Sequence, residues 1–189
     1  MIRTFIALDL SPEIKTNLAV LARQLKSKGG FPVKWTAVEN IHITLKFLGD
    51  VEEKMLPVLQ SRLSATVQNF QPFVIRIGEL GAFPKIDQPR TIWAGCEMDQ
   101  EGYNVQKAVE KTTTDLGFPK ADRPFSPHLT IGRVINSAGP RDYPMLAQII
   151  RETAVTNLGT QIVNNIRVYR SDLLQAGPKY RILYDIPLG

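Results

Sequence analysis

Histidine and cysteine are nearly missing from this chain, with two of the first and one of the second in 189 residues. A lone cysteine, Cys96, cannot close an internal disulfide, which fits a reducing, cytoplasmic setting. It sits in an apolar stretch and reads as a buried structural thiol. So few nitrogen and sulfur ligands cannot build a zinc site unless carboxylates complete it, and Asp and Glu do not cluster as D-x-D or E-x-x-H. No metal and no cofactor is therefore expected. Walker A, Rossmann-glycine and G-x-S-x-G patterns are also missing, which removes the commonest phosphate-loop, dinucleotide and serine-hydrolase readings. No apolar run approaches a membrane span, so no membrane partner is expected. The opening Met1 to Asp9 is too short and too soon acidic for a signal peptide, and reads as a strand.

What is present is ordinary for a globular protein: 43% hydrophobic and 22% charged residues. The length allows one domain or two small lobes around a sizeable core. A formal net charge of +5 favours an anionic partner such as nucleic acid, nucleotide, phosphate or a membrane surface, although the basic residues are scattered. Nothing in the chain demands more than a monomer or an obligate protein partner.

Both histidines open the same pattern: His42-Ile43-Thr44-Leu45 and His128-Leu129-Thr130-Ile131. His128 lies 86 positions after His42, and the same offset sets Thr91 and Trp93 against Phe5 and Ala7. Around the motifs, hydrophobic periodicity and turn residues predict strands at 5–10, 41–48, 73–80, 91–97, 125–133, 161–169 and 180–186. Helices are predicted from Ser11-Pro12-Glu13 to Gly29-Gly30, at 52–67, from Asp99 to Leu116, and at 143–155. Residues 31–40 read as loop or short strand, 140–144 as a loop and 176–178 as a turn. Each half then runs strand, helix, His-x-Thr strand, helix, strand, as after an ancient duplication with pseudo-twofold symmetry.

Side chains alternate faces along a strand, so each motif sets an imidazole beside a hydroxyl on one face and apolar residues on the other. Histidine is suited to moving protons near neutral pH. Two in matched settings suggest one acid and one base at a shared phosphodiester, with Thr44 and Thr130 donating to nonbridging oxygens. By the same alternation Lys46 shares the His42 face as a solvated cation, and Phe47 joins Ile43 and Leu45 in the core, with stacking on a base as its alternative. Arg133 falls opposite His128 unless a bulge near Gly132 resets the alternation. Trp35, in a loop, is open to base stacking. Arg3, Arg123, Arg141 and Lys179 are either an RNA track or ordinary solvated charge.

Residues 40–49, carrying His42 and Thr44, and 125–133, carrying His128 and Thr130, resemble the two-histidine (2H) phosphoesterase superfamily. More narrowly they resemble the RNA 2′,3′-cyclic phosphodiesterases, also called 2′-5′ RNA ligases. Arg3 to Leu8, Trp35, Gly81-Ala82-Phe83-Pro84, Pro89-Arg90, Tyr169 to Leu173, Gly177 and Tyr180 match as well. The resemblance implies an α+β fold, a single domain over 1–189 made of two similar lobes. Two antiparallel sheets would flank a central cleft, with helices outside. It implies hydrolysis of an RNA 2′,3′-cyclic phosphate end to a 2′-phosphate and, in some members, reversible ATP-independent 2′-5′ joining. His42 would protonate O3′ and His128 would activate water, although the near symmetry of the motifs leaves this reversible. Thr44, Thr130 and Arg133 would contact phosphate or ribose. Two other readings stand beside it: a phosphodiesterase for a small cyclic nucleotide, and a non-catalytic module that binds RNA ends.

Overall fold

The computed structural model describes residues 1–139, 141–153, 155, 157–175 and 177–189. Pro140, Ala154 and Ala176, from the expected 140–144 loop, 143–155 helix and 176–178 turn, lie outside the described residues. The strands are β1 (Ile2–Leu8), β2 (Val33–Trp35), β3 (Ile43–Val51), β4 (Phe73–Lys85), β5 (Gln88–Met98), β6 (His128–Val134), β7 (Gly159–Val163), β8 (Asn165–Leu174) and β9 (Gly177–Pro187). The helices are α1 (Pro12–Ser27), α2 (Leu56–Val67), α3 (Gln100–Asp115) and α4 (Asp142–Glu152).

The helices start where their caps dictate. Ser11 accepts from the Ile14 amide before α1, with Pro12 in the first turn, and Asp99 accepts from the Gly102 amide before α3. Ile14, Leu18, Leu21 and Leu25 then recur on one face of α1 and are all buried. With Leu59 and Leu63 of α2 and Val105 and Val109 of α3 they cover one face of the sheet, against Ile6, Leu8, Ile43, Leu129, Ile166 and Val168. Full burial of each such side chain contributes about 1.5–3 kcal/mol before conformational entropy is counted. A smaller cluster of Ala82, Ile92, Leu146 and Ile150 seats α4.

The strands form one antiparallel sheet in the order β7-β4-β5-β6-β3-β1-β8-β9, with β2 beside β6. Two separate sheets were expected; instead a single residue pair, Ile43 with Leu129, joins β3 to β6 and makes the sheet continuous. Pairing repeats on the two sides of that junction. Ala7 opposes Thr44 as Trp93 opposes Thr130, and Ile6 opposes Lys46 as Ile92 opposes Gly132. Phe5 opposes Tyr169 as Thr91 opposes Phe83. Every one of these matches carries the 86-residue offset. The strands of each side are not contiguous in sequence, however, because β4 joins β5 and β6 while β8 and β9 join β1 and β3. The single strand expected at 161–169 is accordingly two, β7 and β8, which leave Asn164 for opposite sides of the sheet.

The registers slip at equivalent places. Leu45 is an extra residue in β3 between Thr44 and Lys46, and Ile131 is an extra residue in β6 between Thr130 and Gly132. A bulge of this kind resets the alternation of faces for the residues after it. Its consequences at the site are large.

Candidate active site

His42 immediately precedes β3 and His128 opens β6, so both stand at the junction of the two sides of the sheet. Ile43 and Leu129 point to the helix-covered core, which turns His42, Thr44, His128 and Thr130 to the other face. Continuing the antiparallel register from the Ile43–Leu129 pair sets His42 across from Thr130 and Thr44 across from His128.

The two rings are held alike. His42 Nδ1 lies 2.8 Å from the Asn40 carbonyl, and His128 Nδ1 lies 2.8 Å from the Ser126 carbonyl. A carbonyl only accepts, so the proton sits on Nδ1 in both rings and Nε2 is the atom left for chemistry. Asn40 is itself tied down, since its Nδ2 donates to the Pro178 carbonyl at 2.9 Å. His42 is stacked on Phe5 at 4.7 Å and meets Tyr180 edge-on at 5.2 Å; Phe5 in turn stacks on Tyr169 at 5.2 Å. His128 meets Phe83 edge-on at 5.0 Å, and Phe83 touches Trp93. The Trp93 ring lies over Gly81, where a Cβ would come within 2.2 Å of it, so the Gly-Ala-Phe-Pro stretch makes room for this wall.

Burial pushes the His42 pKa below the ordinary histidine value. The Asn40 carbonyl and the Asp9 carboxylate oppose the shift, while the charge of His128 adds to it. Asp9 is fixed nearby by Lys15 at 2.7 Å and by an ion pair to Arg167. Burial also raises the Tyr180 phenol, against the positive charges of Arg133 and Arg3.

The two bulges decide which other side chains reach this face. Arg133 follows the Ile131 bulge and turns to the His128 side, where its guanidinium donates to Thr91 Oγ1 at 3.4 Å. Phe47, at the equivalent place after the Leu45 bulge, is 66% exposed and lies against Phe5 with ring centres 6.0 Å apart. Strict alternation would put it in the core. Lys46 moves the other way. It is only 5% exposed and reaches through the core side to Glu110 at 2.7 Å and the Pro119 carbonyl at 2.6 Å, so it neither shares the His42 face nor is solvated. Trp35 is not brought to the histidines. It pairs with Gly132, whose missing Cβ leaves space first for Val33 and then for its ring, and packs with the apolar clusters that include α1 and α4. Cys96 is buried away from solvent, and burial pushes its thiol up to about 12, as suits an inert core residue.

Sequence reasoning singled out neither Phe5 nor Asp9 for this site. The offset that aligns Phe5 with Thr91 was the available signal, because both flank a His-x-Thr strand. Among the described residues, no three or more His, Cys, Asp and Glu side chains gather as a set of metal ligands. Among them also, no helix is long and apolar enough to cross a membrane.

Residues 8–93 match the family model described as LigT-like phosphoesterase. The chain is 34% identical over 179 residues to the RNA 2′,3′-cyclic phosphodiesterase of Methanothermobacter thermautotrophicus, covering 95% of each protein. It is 35% identical over 181 residues to the RNA 2′,3′-cyclic phosphodiesterase of Archaeoglobus fulgidus, covering 96% of this chain and 97% of the relative. In fold it is similar to a Thermus thermophilus protein of known crystal structure. The TM-score is 0.82 at 24% identity, over 98% of this chain and 97% of that one.

Proposed function

The chain belongs to the LigT-like phosphoesterase family, with the RNA 2′,3′-cyclic phosphodiesterases as its relatives, and on that premise we propose that it hydrolyses 2′,3′-cyclic phosphate ends of RNA to 2′-phosphates. One observation carries the reading: two imidazoles on one sheet face, each with Nδ1 anchored on the carbonyl two residues before it and Nε2 left for substrate. A structural histidine needs no such twin. The repeated registers around the Ile43–Leu129 junction support a further part of the proposal, that two equivalent halves with helices outside meet at this cleft.

In the proposed reaction, Nε2 of neutral His128 takes a proton from water as the water oxygen bonds to phosphorus. Protonated His42 gives its Nε2 proton to O3′ as the P–O3′ bond breaks, and the product keeps a phosphate on O2′. The roles of acid and base follow the family resemblance. Thr44 and Thr130 donate to the nonbridging oxygens, where negative charge concentrates, and Arg133 adds a cation on the same face. Phe47 offers an exposed ring on which the terminal base stacks. Acid–base catalysis by each histidine contributes about 10²- to 10⁴-fold. Both proton transfers fall to imidazole, so the scheme needs no metal. If a 5′-hydroxyl replaces water, P–O5′ forms as P–O3′ breaks, and the same groups make a 2′-5′ linkage. We place the enzyme in the cytoplasm as a monomer, in keeping with its lone buried thiol.

The test is an oligoribonucleotide ending in a 2′,3′-cyclic phosphate, incubated with the protein in excess EDTA. A 2′-phosphate product is expected, together with a 2′-5′-joined product when a 5′-hydroxyl RNA is in large excess. A 3′-phosphate product, or activity only after metal is restored, would reject the scheme.

A further inference from the structure

The two halves of the site share one frame but not one set of charges. Continuing the β1–β3 register past Ala7–Thr44 and Leu8–Ile43 sets Asp9 across from His42. In the other half Gly95 pairs with His128, and Gly95 lies 86 positions after Asp9. A carboxylate thus stands where its counterpart has no side chain. The difference extends to the next strand. Arg167 pairs with Ala7 as Gly81 pairs with Trp93, so glycine also replaces the guanidinium that binds Asp9. Arg133 turns to the His128 face, whereas its equivalent on the His42 side is the uncharged Phe47. Each motif is therefore accompanied by a charge of opposite sign, a carboxylate for His42 and a guanidinium for His128.

Asp9 is held in place from several directions. Its Oδ1 accepts from Lys15 Nζ at 2.7 Å and from the Leu10 amide at 2.8 Å, and its Oδ2 pairs with Arg167. Asp185 braces Arg167 at 2.9 Å, and Gln161 Nε2 donates to the Asp9 carbonyl at 3.0 Å. Burial is the strongest influence on His42 and lowers its pKa. Among the surrounding charges Asp9 acts most strongly and in the opposite sense, ahead of His128 and Lys15. The other titratable groups facing the ring are the phenols of Tyr169 on β8 and Tyr180 on β9, both raised by burial and so uncharged near neutral pH. In the other half Glu79 approaches Gly95 only as an exposed side chain, its Cβ 3.7 Å from where a Gly95 Cβ would stand.

We propose that Asp9 is a positioning residue that, acting through His42, keeps the proton on that ring and so makes His42 the acid and His128 the base in two otherwise matching motifs. The inference rests on the proton-transfer scheme above for its consequence in turnover. A general acid works only while it carries its proton. A carboxylate fixed beforehand favours the protonated ring and does not reorganise during the reaction.

The experiment titrates both histidines by NMR in wild type, Asp9→Asn and Lys15→Met. The two variants break the same ion pair but change the charge near His42 in opposite senses. The His42 midpoint should fall in Asp9→Asn and rise in Lys15→Met, with His128 moving less in both. An unmoved His42 midpoint in Asp9→Asn, or midpoints that move in one direction in both variants, would make the Asp9–Lys15 pair a structural tie and overturn the assignment. Turnover supplies a second readout. On a 2′,3′-cyclic substrate with the natural 3′ oxygen, kcat/KM of Asp9→Asn should fall, above the His42 midpoint, by about tenfold for each unit that the midpoint drops. With 3′ sulfur the P–S3′ bond breaks and its electron pair leaves on a thiolate that takes no proton, so the same variant should stay within about twofold of wild type. Equal losses on the two substrates would also overturn the assignment. If wild type turned over neither substrate, the catalytic reading would fail, and the midpoints would still decide whether Asp9 holds the proton on His42.

Discussion

His42 and His128 share a backbone frame but not an environment. Both rings donate Nδ1–H to a carbonyl at 2.8 Å, yet His42 is enclosed by Phe5 and Tyr180 and burial lowers its pKa. A ring whose pKa drops on folding holds fewer protons than its unfolded counterpart, so stability falls as pH descends through about 6.5, the unfolded value, and levels off below the folded pKa. An NMR titration of the free protein should therefore place the His42 midpoint below 6.5, and one limb of the bell-shaped kcat/KM profile should track it. A midpoint at or above 6.5 would show that Asp9 and the Asn40 carbonyl outweigh burial. The four polar residues of the motifs were legible from spacing alone, because alternation holds from His42 to Thr44 and from His128 to Thr130. Lys46 and Phe47 were not legible, because one inserted residue at Leu45 exchanges their faces and no local sequence signal marks it.

At the scale of elements, the two bulges let the His-x-Thr strands serve both faces at once. In β3 the bulge sends Lys46 inward to Glu110 and Pro119, while Glu110 also accepts from the Ala121 amide. This clamps the chain that leaves α3 on its way to His128. In β6 the equivalent place is Gly132, and Val33 and Trp35 of β2 close over it instead. Burial tends to raise the Glu110 pKa, but the bonds from Lys46 and Ala121 leave it below the ordinary value. That contribution is present above the unfolded carboxylate pKa and is lost as pH falls through the folded one. Lys46→Met strips Glu110 of its cation and should cost about 3 kcal/mol, the low end for breaking a buried pair. Lys46→Met/Glu110→Leu should recover much of that. Urea unfolding checks both, and a cost under about 1 kcal/mol in the single variant, the range of an exposed pair, would mean that the clamp is not a stabilising feature. Caps and apolar periodicity made α1 and α3 readable from sequence. The 161–169 run was misread because apolar residues resume directly after the Asn164-Asn165 pair, with no Gly or Pro to mark where the chain changes sides of the sheet.

For the molecule as a whole, the duplicated pattern was visible in the sequence, but its partition was not. Sequence order suggested an N-terminal and a C-terminal half. The sheet instead takes β4 into the side carrying His128 and returns β8 and β9 to the side carrying His42. Strand pairing is decided by contacts between distant segments, and periodicity within a segment does not carry that information. The outcome brings the starts of two His-x-Thr strands together at one residue pair, so that both motifs present their polar residues on one sheet face. The most direct test of paired proton transfer is single-turnover cleavage by His42→Ala and His128→Ala of two cyclic substrates, one with the natural 3′ oxygen and one with 3′ sulfur, a leaving group that departs without a proton. Both variants should lose about 10²- to 10⁴-fold on the oxygen substrate, while sulfur restores His42→Ala alone. Retained activity in either variant on the oxygen substrate, or equal rescue of both by sulfur, would contradict an acid and a base drawn from these two residues.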